Sequence, residues 1–278
     1  MSIDHLRKEY HAAVCRQVLG YRTGVPNIAD GSSERSVQLA EGIVARLGFP
    51  TCPKPPTGQG AGALFETLTR GYLEKAFGLL QHLRPGDWVF SVHGDITDFE
   101  QYEHLKDLAH ILAQHPGLRA TLGDYMVKPD ILIGRSPVSD ESISRGSGVL
   151  EGEIATLTPL RARNSQMPRP ILHASISCKW TIRSDRSQNA RTEGLNLIRN
   201  RQGNTPHIVI VTAEPLPSRI ASVALGTGDI DCVYHMALYE LAESVSQSGD
   251  ETLSEMYKLL VDGKRLRDIS DLPFDLAI

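Results

Sequence analysis

The chain has 278 residues, of which 41% are hydrophobic, and a formal net charge of −4. This length is enough for one large domain or two small ones, and the longest aliphatic run is too short to span a membrane. The first ten residues carry charges where a secretory signal peptide needs an apolar stretch. We therefore expect a cytoplasmic protein with no membrane partner.

The first 120 residues are predicted to be mainly helical. Apolar residues recur at helical spacing, and capping or helix-breaking residues stand at the ends of the periodic segments. The Pro/Gly-rich stretch at residues 50–62 is a loop candidate, but it is too short to mark a domain boundary. Helices are expected at about residues 3–19, 30–47, 61–83 and 99–114, and a strand at residues 88–92.

The pattern changes after residue 120. Strands are predicted at Asp130–Gly134, Ile171–Ile182 and His207–Thr212, with a helix at Ser184–Asn200. Two more helices, at about residues 233–246 and 251–261, close the chain. The order strand, strand, helix, strand favours a mixed β-sheet flanked by helices. We predict a single α/β domain over residues 1–278, with a helical part to about 120, a sheet-containing part at about 121–225 and C-terminal helices at about 230–278.

The charges are unevenly distributed. Residues 161–201 hold eight Arg, one Lys, one Asp and one Glu, so this stretch carries +7 and the rest carries −11. Arg offers a rigid fork of donors that suits guanine edges and phosphates. A charge run is more often a solvated face, but this one surrounds the residues with the clearest catalytic pattern.

The four cysteines form no metal-binding or redox pattern. They stand at positions 15, 52, 178 and 232, without a CxxC pair, and no pair of histidines has zinc-ligand spacing. We predict reduced thiols in or near the core.

The predicted strand at 171–182 and the strand that starts after Asp130 carry unusual charges. Side chains alternate along a strand, so Ser177 and Lys179 share the polar face, opposite Cys178 and Trp180. A carboxylate at the edge of a buried strand, as at Asp130, needs a cation, a cap or a metal. Phosphodiester hydrolysis would use such a set, with Asp130 holding a divalent cation and Lys179 orienting water and offsetting charge.

A second carboxylate would be needed near the lysine, and position 177, where a nuclease commonly has Asp or Glu, is Ser. Glu193 is the candidate replacement, because Arg186, Ala190, Glu193 and Leu197 share one helical stripe. The alternatives remain that Asp130 is a strand-end turn residue and that Glu193 is an exposed helix partner.

The spacing Pro129-Asp130, 46 residues, Ser177-Cys-Lys179, 13 residues, Glu193 resembles the permuted PD-(D/E)xK pattern of NgoMIV-like type II restriction endonucleases. The resemblance implies a restriction-endonuclease-like mixed sheet and Mg²⁺, two ions per active site, held by Asp130 and Glu193. It also implies catalytic roles for Asp130, Lys179 and Glu193, with Ser177 beside them and Glu66 as a further active-site carboxylate; an edge ion pair between Glu66 and Arg70 is the alternative. The resemblance extends through residues 173–186, 211–215, 225–228, 230–235 and 264–273.

The segment Arg183-Ser-Asp185-Arg186 opens the helix after the catalytic strand. Two Arg and one Asp at a helix N-terminus can read neighbouring guanine and cytosine in the major groove, although a phosphate-facing cap is the alternative. The resemblance implies that this set reads a CCGG core, that Arg219 and Asp30 read the outer base pair, and that Gln59 contacts the minor groove.

The implied recognition site is GCCGGC in double-stranded DNA, cut after the first G to leave a four-base 5′ overhang. The resemblance further implies a homotetramer of two dimers and a cognate methyltransferase in the same restriction-modification system. The alternatives are a repair or recombination nuclease with the same chemistry, a DNA-binding relative without catalysis, and a hydrolase of other substrates. The last finds no support in a Ser-His-Asp or Cys-His pattern.

Overall fold

The computed structural model describes residues 1–115, 117, 127–146, 148–150, 153–182, 184–226 and 228–278, and the side chains of residues 109 and 184–188 lie outside this description. The chain forms two compact units. The first comprises Met1–Arg84, Ile176–Gly194 and Ile208–Ile278, and the second comprises Pro85–Ser175 and Leu195–His207. The single-domain organisation expected from the sequence stays a prediction.

Serine caps begin the first two helices, α1 (Ile3–Gln17) and α2 (Glu34–Leu47). Ser2 and Ser33 accept hydrogen bonds from the main chain of their first turns, and Gly48 takes the left-handed conformation that ends α2. The α-helices are α1 (Ile3–Gln17), α2 (Glu34–Leu47), α3 (Gly58–Leu79), α4 (Leu105–Gln114), α5 (Asp140–Ser144), α6 (Ser184–Asn200), α7 (Pro217–Ala224), α8 (Leu238–Ser248), α9 (Glu251–Asp262) and α10 (Leu272–Asp275).

Within the described residues, the strands form a short antiparallel pair and a six-stranded sheet. The pair is β1 (Tyr21–Arg22) and β2 (Val25–Pro26). The sheet contains β3 (Trp88–Val92), β4 (Ile131–Arg135), β5 (Ile171–Lys179), β6 (His207–Thr212), β7 (Cys232–His235) and β8 (Leu266–Asp268), in chain order. β3 and β4 are antiparallel, whereas β6, β7 and β8 are parallel. The predicted α/β class with a mixed sheet is therefore confirmed.

Strands β4 and β5 position the predicted catalytic residues. Ile131, Leu132 and Ile133 are fully buried, so the chain is fixed immediately after Asp130. In β5 the residues from Leu172 to Cys178 are all buried, and the strand ends at Lys179, which is half-buried. The strand stops three residues before the predicted end at Ile182.

The segment before α4 differs from the predicted continuous helix at 99–114. Short 3-10 turns cover Ile96–Asp98 and Glu100–Tyr102, and α4 begins only at Leu105. The Gln101 side chain donates to Leu172 O and accepts from Leu172 N, each at 2.8 Å. These hydrogen bonds to the start of β5 keep the segment from forming a continuous α-helix. The spacing of residues within the segment could not indicate them, because Leu172 lies 71 positions away.

The predicted helix at 233–246 was wrong over its first residues. Cys232–His235 form β7, which is buried throughout and pairs with β6 and β8, and α8 begins at Leu238. A short apolar run with neighbours on both sides gains more from sheet hydrogen bonds and burial than from a helical turn.

The cysteines are free thiols, as predicted: Cys15, Cys178 and Cys232 are buried and Cys52 is half-buried. In the described part of the chain, no helix is both long and apolar enough to cross a bilayer.

Candidate active site

The end of β5 carries two predicted catalytic residues, Ser177 and Lys179, on the same face of the strand. The main chain here is fixed by β6, since the Thr212 hydroxyl donates to Lys179 O at 2.7 Å. Ala213 N donates to the same carbonyl at 3.4 Å. The base of the Lys179 side chain is therefore held by the sheet rather than by a free loop.

Glu193 lies against β5. The Ser177 hydroxyl donates to Glu193 Oε2 at 3.3 Å, which joins the third turn of α6 to the catalytic strand. The next residue, Gly194, packs closely against β6 and the segment before β7, because a Cβ there would lie 2.7 Å from Asp229 O and 3.2 Å from Ile208 Cγ2. The contact puts a carboxylate beside position 177, which itself lacks one.

Asp130 stands at the start of β4, in the second unit. The β3–β4 register pairs Val92 with Ile131, and one step further His93 N donates to Asp130 O at 3.1 Å. A carboxylate oxygen of Asp130 and a ring nitrogen of His93 lie within 4.8 Å of each other. His93 adopts a left-handed backbone, with φ 54°. The sequence analysis did not identify His93, and only the strand register could have revealed it.

Glu66 lies on α3 in the first unit and is 7% exposed, which fits an inward role better than an edge ion pair. Its neighbour Phe65 is fully buried and packs edge-on against Trp180, with ring centroids 5.1 Å apart. Since Trp180 follows Lys179 directly, this contact fixes α3 against the end of β5. Arg70, the alternative partner of Glu66, pairs with Glu74 at 3.0 Å.

The residues predicted to read the CCGG core fall outside the described part. Arg183 is not described, and Asp185 and Arg186 lie in the first turn of α6 with side chains that are not described. Their roles stay predictions.

Two residues predicted to read the outer base pair form an ion pair. Arg219, on α7, donates through Nη2 to Asp30 Oδ2, although the two residues are 189 positions apart in the chain. The Asp30 carboxylate also accepts from the hydroxyl and main-chain N of Ser32, at 2.7 and 3.0 Å. Hydrogen bonds from Ser32, and then from Arg219, lower the pKa of Asp30 to about 2. Gln59 is exposed in the first turn of α3.

A buried carboxylate that the sequence analysis missed lies beneath this pair. Glu214, just after β6, is 0% exposed, and burial raises its pKa to about 7. Its main-chain O accepts from Nε2 of His235, also fully buried, at 3.2 Å. Burial lowers the pKa of His235 to about 4. No local spacing distinguishes Glu214, since Ile182 and His235, which help to bury it, lie 32 and 21 positions away in the chain.

Three arginines of the Arg-rich stretch at residues 161–201 form ion pairs with acidic residues of the protein. Arg161 is 2% exposed and pairs with Asp140 at 2.7 Å, Arg163 pairs with the same carboxylate at 2.9 Å, and Arg169 pairs with Glu103 at 3.1 Å. These three stabilise the second unit, so the charge excess overstates the nucleic-acid contacts that this stretch can make.

The family comparison covers almost the whole chain. A family model described as the NgoMIV restriction enzyme matches residues 10–278. The type II restriction enzyme NgoMIV of Neisseria gonorrhoeae is 51% identical over 261 residues, which cover 92% of this chain and 91% of that protein.

Two solved structures match over most of their length but with low similarity. The restriction endonuclease PspGI in complex with substrate DNA has a TM-score of 0.38 and 13% identity, and covers 99% of this chain and 92% of its own. The type IIF restriction endonuclease Bse634I with cognate DNA has a TM-score of 0.32 and 12% identity, and covers 99% of this chain and 91% of its own. These TM-scores are too low to support an argument about the fold, so the fold assignment depends on the sheet and helices described above. Because the family match spans residues 10–278, the chain belongs to the NgoMIV restriction enzyme family, whose members are type II restriction endonucleases.

Proposed function

We propose that this type II restriction endonuclease hydrolyses double-stranded DNA at GCCGGC, after the first G, and leaves a 5′ CCGG overhang. Family membership and 51% identity to a type II restriction enzyme support the proposal. The observation that carries the catalytic part is the Ser177–Glu193 hydrogen bond at 3.3 Å. It supplies a carboxylate on the lysine-bearing face of β5, where the permuted motif requires one.

Restriction endonucleases use a divalent cation, and we propose Mg²⁺, with two ions per active site. The donor chemistry fits, since Asp130 and Glu193 offer the hard carboxylate oxygens that Mg²⁺ prefers. When bound, the cation offsets charge on the scissile phosphate and lowers the pKa of coordinated water. An imidazole suits Mg²⁺ less well, so we propose that His93 orients Asp130 through their neighbouring main chains.

The remaining catalytic roles follow from position and chemistry. Lys179 extends from a main chain fixed by Thr212 and Ala213, and we propose that its ammonium orients the attacking water and stabilises the developing negative charge. Ser177 holds the Glu193 carboxylate by donating its hydroxyl hydrogen. We propose Glu66, which is buried, as a third acid of the site, beside the half-buried Asp130 and Glu193.

For recognition, we propose that Arg183, Asp185 and Arg186 read the CCGG core in the major groove. Arg219 and Asp30 would read the outer base pair, because Arg donates to guanine N7 and O6 while Asp accepts from cytosine N4. An Arg and an Asp already held side by side have the complementary pair of functions for one G·C pair. Gln59, exposed on α3, is proposed for the minor groove.

We also propose that the protein acts in the cytoplasm as a homotetramer of two dimers, alongside a cognate methyltransferase that protects host DNA. These partners rest on family membership.

The test is digestion of a sequenced plasmid with and without Mg²⁺, followed by mapping of the cut ends. We expect cleavage only with the cation, with every end at G/CCGGC. Asp130→Ala and Lys179→Ala should each cut at less than about one thousandth of the wild-type rate while remaining folded. Lys128→Ala, an exposed lysine near Asp130, is the matched control and should cut normally.

Other outcomes would identify the alternatives. Cuts at branched or damaged DNA without sequence preference would indicate a repair or recombination nuclease. Specific binding without cleavage in any divalent cation would indicate a relative that has lost catalysis. Near-wild-type cleavage by either active-site variant would contradict the site assignment.

A further inference from the structure

Glu214 accepts main-chain hydrogen bonds from two separate segments. Its Oε2 accepts from Ile182 N at 2.9 Å, and its Oε1 accepts from Leu216 N at 3.2 Å. Ile182 directly precedes Arg183 in the chain, and Leu216 is the N-cap of α7, the helix that carries Arg219. One buried carboxylate therefore fixes the entry to both proposed recognition elements.

The same carboxylate faces the Arg219–Asp30 ion pair. Arg219 Nη1 lies 3.9 Å from Glu214 Oε2, while Nη2 of the same guanidinium donates to Asp30. Above about pH 7, where Glu214 is charged, a fully buried carboxylate on one side and the half-buried carboxylate of Asp30 on the other fix the orientation of the guanidinium. A long, flexible side chain whose guanidinium is already held by two acidic groups loses less conformational entropy on binding DNA than an unrestrained side chain does.

The main chain of Glu214 is also tied to the catalytic strand. Glu214 N donates to the Thr212 hydroxyl at 3.1 Å, and that hydroxyl donates to Lys179 O at 2.7 Å. A short chain of hydrogen bonds thus runs from the carbonyl of the catalytic lysine to the residue beneath Arg219.

We infer that Glu214 is a positioning residue for sequence recognition, holding the Arg219–Asp30 pair and the start of the core-reading segment in register with the catalytic strand. The inference rests on the proposed function and deepens it. Glu214 would touch neither DNA nor the reacting atoms, and it would act through Arg219 and through the main chain at Ile182.

The chemistry requires a carboxylate rather than an amide. Both oxygens of Glu214 accept from main-chain N–H groups, whereas Gln has one acceptor oxygen and one NH₂ donor. In Glu214→Gln one main-chain N–H therefore loses its acceptor, and the negative charge facing Arg219 disappears. The change leaves the side-chain volume almost unchanged.

The experiment first determines the cleavage preference of the wild-type enzyme on a randomised DNA library with Mg²⁺. It then measures kcat/KM on GCCGGC, on ACCGGT with a changed outer pair, and on a site with a changed core. For Glu214→Gln we expect the preference for G·C at the outer pair to fall by roughly tenfold, mainly through a higher KM on GCCGGC. Glu240→Gln is the matched control, since it removes a carboxylate charge that binds Arg7, away from Arg219.

The outcomes separate the two proposals. A wild-type enzyme that prefers no sequence, or one other than GCCGGC, contradicts the proposed function. A wild-type enzyme that prefers GCCGGC, with a Glu214→Gln profile reduced equally on every substrate, contradicts the role of Glu214 and indicates a purely structural residue. If Glu214→Gln does not fold, Glu214→Asp, which keeps the charge but withdraws it from Arg219, must show the same loss of outer-pair preference for the inference to stand.

Discussion

Glu193 and Ser177 come from different elements, yet they lie in hydrogen-bond contact at 3.3 Å. A carboxylate at position 177 would rise from the strand itself, whereas Glu193 reaches the same face from α6. A carboxylate can therefore reach the same place in the active site from either position 177 or position 193, so its position in the sequence can change while its chemical role is kept. The close packing at Gly194 against Ile208 and Asp229 holds this part of α6 near the sheet.

This geometry predicts the result of exchanging the two side chains. Glu193→Ala should lose nearly all activity, because the carboxylate ligand is removed. The double variant Ser177→Glu, Glu193→Ser should recover measurable cleavage, because it returns a carboxylate to the same location. Single-turnover cleavage of a GCCGGC duplex at saturating Mg²⁺ measures both.

Ser177→Ala is the control for the swap. It loses one hydrogen bond to Glu193 but keeps the carboxylate, so we expect a loss of about tenfold or less. A wild-type rate in Glu193→Ala would mean that another acid, with Glu66 the first to test, supplies the ligand.

At the residue scale, the sequence could predict Glu193 but not Glu214 or His93. Glu193 shares a helical stripe with Ala190 and Leu197, and helical periodicity alone predicts that this stripe faces the protein interior. Ala190 and Leu197 are 2% and 1% exposed, in agreement with that prediction. Glu214 and His93 acquire their surroundings from segments dozens of residues away. Their burial or register is a tertiary property that no local pattern carries.

At the scale of elements, the first turn of α6 is the proposed reader of the DNA core. Arg186→Ala should weaken binding to GCCGGC by about 1–3 kcal/mol per half-site, and by much less on a scrambled duplex. Losing a phosphate contact instead would weaken both duplexes alike and reduce the salt dependence.

The measurement uses Ca²⁺ in place of Mg²⁺ to prevent cutting and repeats the titration at several salt concentrations. Arg199→Ala is the control, an exposed arginine in the last turn of the same helix. Equal losses on both duplexes for Arg186→Ala would leave specificity to other residues, with Arg219 and Asp30 first.

The turn between β6 and α7 gives a prediction on pH. Because the pKa of Glu214 is raised to about 7 from 4.5, the folded protein holds a proton that the unfolded chain has released. The stabilisation is thus complete below about pH 4.5 and is lost as the pH rises through about 7. The free energy of unfolding of the wild type, relative to Glu214→Gln, should fall by about 1.4 kcal/mol per pH unit across most of this window.

Urea unfolding between pH 5 and 8 measures this difference. His235, with its pKa lowered to about 4, titrates in the opposite sense, but it is present in both proteins and so cancels. The wild type relative to Glu240→Gln should change far less across this range, because the pKa of Glu240 lies below 4.5. An equally small change for Glu214→Gln would mean that Glu214 is not the titrating group.

The elements predicted well are those whose own sequence carries the signal. The predicted bounds of the strand His207–Thr212 match the structure, since the segment is mainly a continuous apolar run. The predicted bounds of the helix Ser184–Asn200 also match, since this helix begins directly after the predicted catalytic strand. The strands β7 and β8 were missed. Each is a few residues long, and each is a strand only because a neighbour supplies its hydrogen bonds.

At the scale of the whole molecule, the net charge of −4 coexists with DNA binding because the positive charge is concentrated. Several arginines of the +7 stretch pair with acids in the second unit, so those that remain for DNA are fewer than the count suggests. Affinity then depends on a small set of oriented contacts rather than on overall attraction.

A small set of contacts per subunit favours an assembly that engages several half-sites at once, and the proposed homotetramer would hold two GCCGGC sites. Sedimentation should then give a mass near four times 30.5 kDa. A plasmid with two sites should be cut faster than one with a single site, since the second site binds at a high effective concentration on the same DNA. Adding a short GCCGGC duplex should accelerate cleavage of the single-site plasmid, and a scrambled duplex of equal length is the control. Equal rates on both plasmids, with no stimulation by the duplex and a mass of two chains, would mean that a dimer is the complete enzyme.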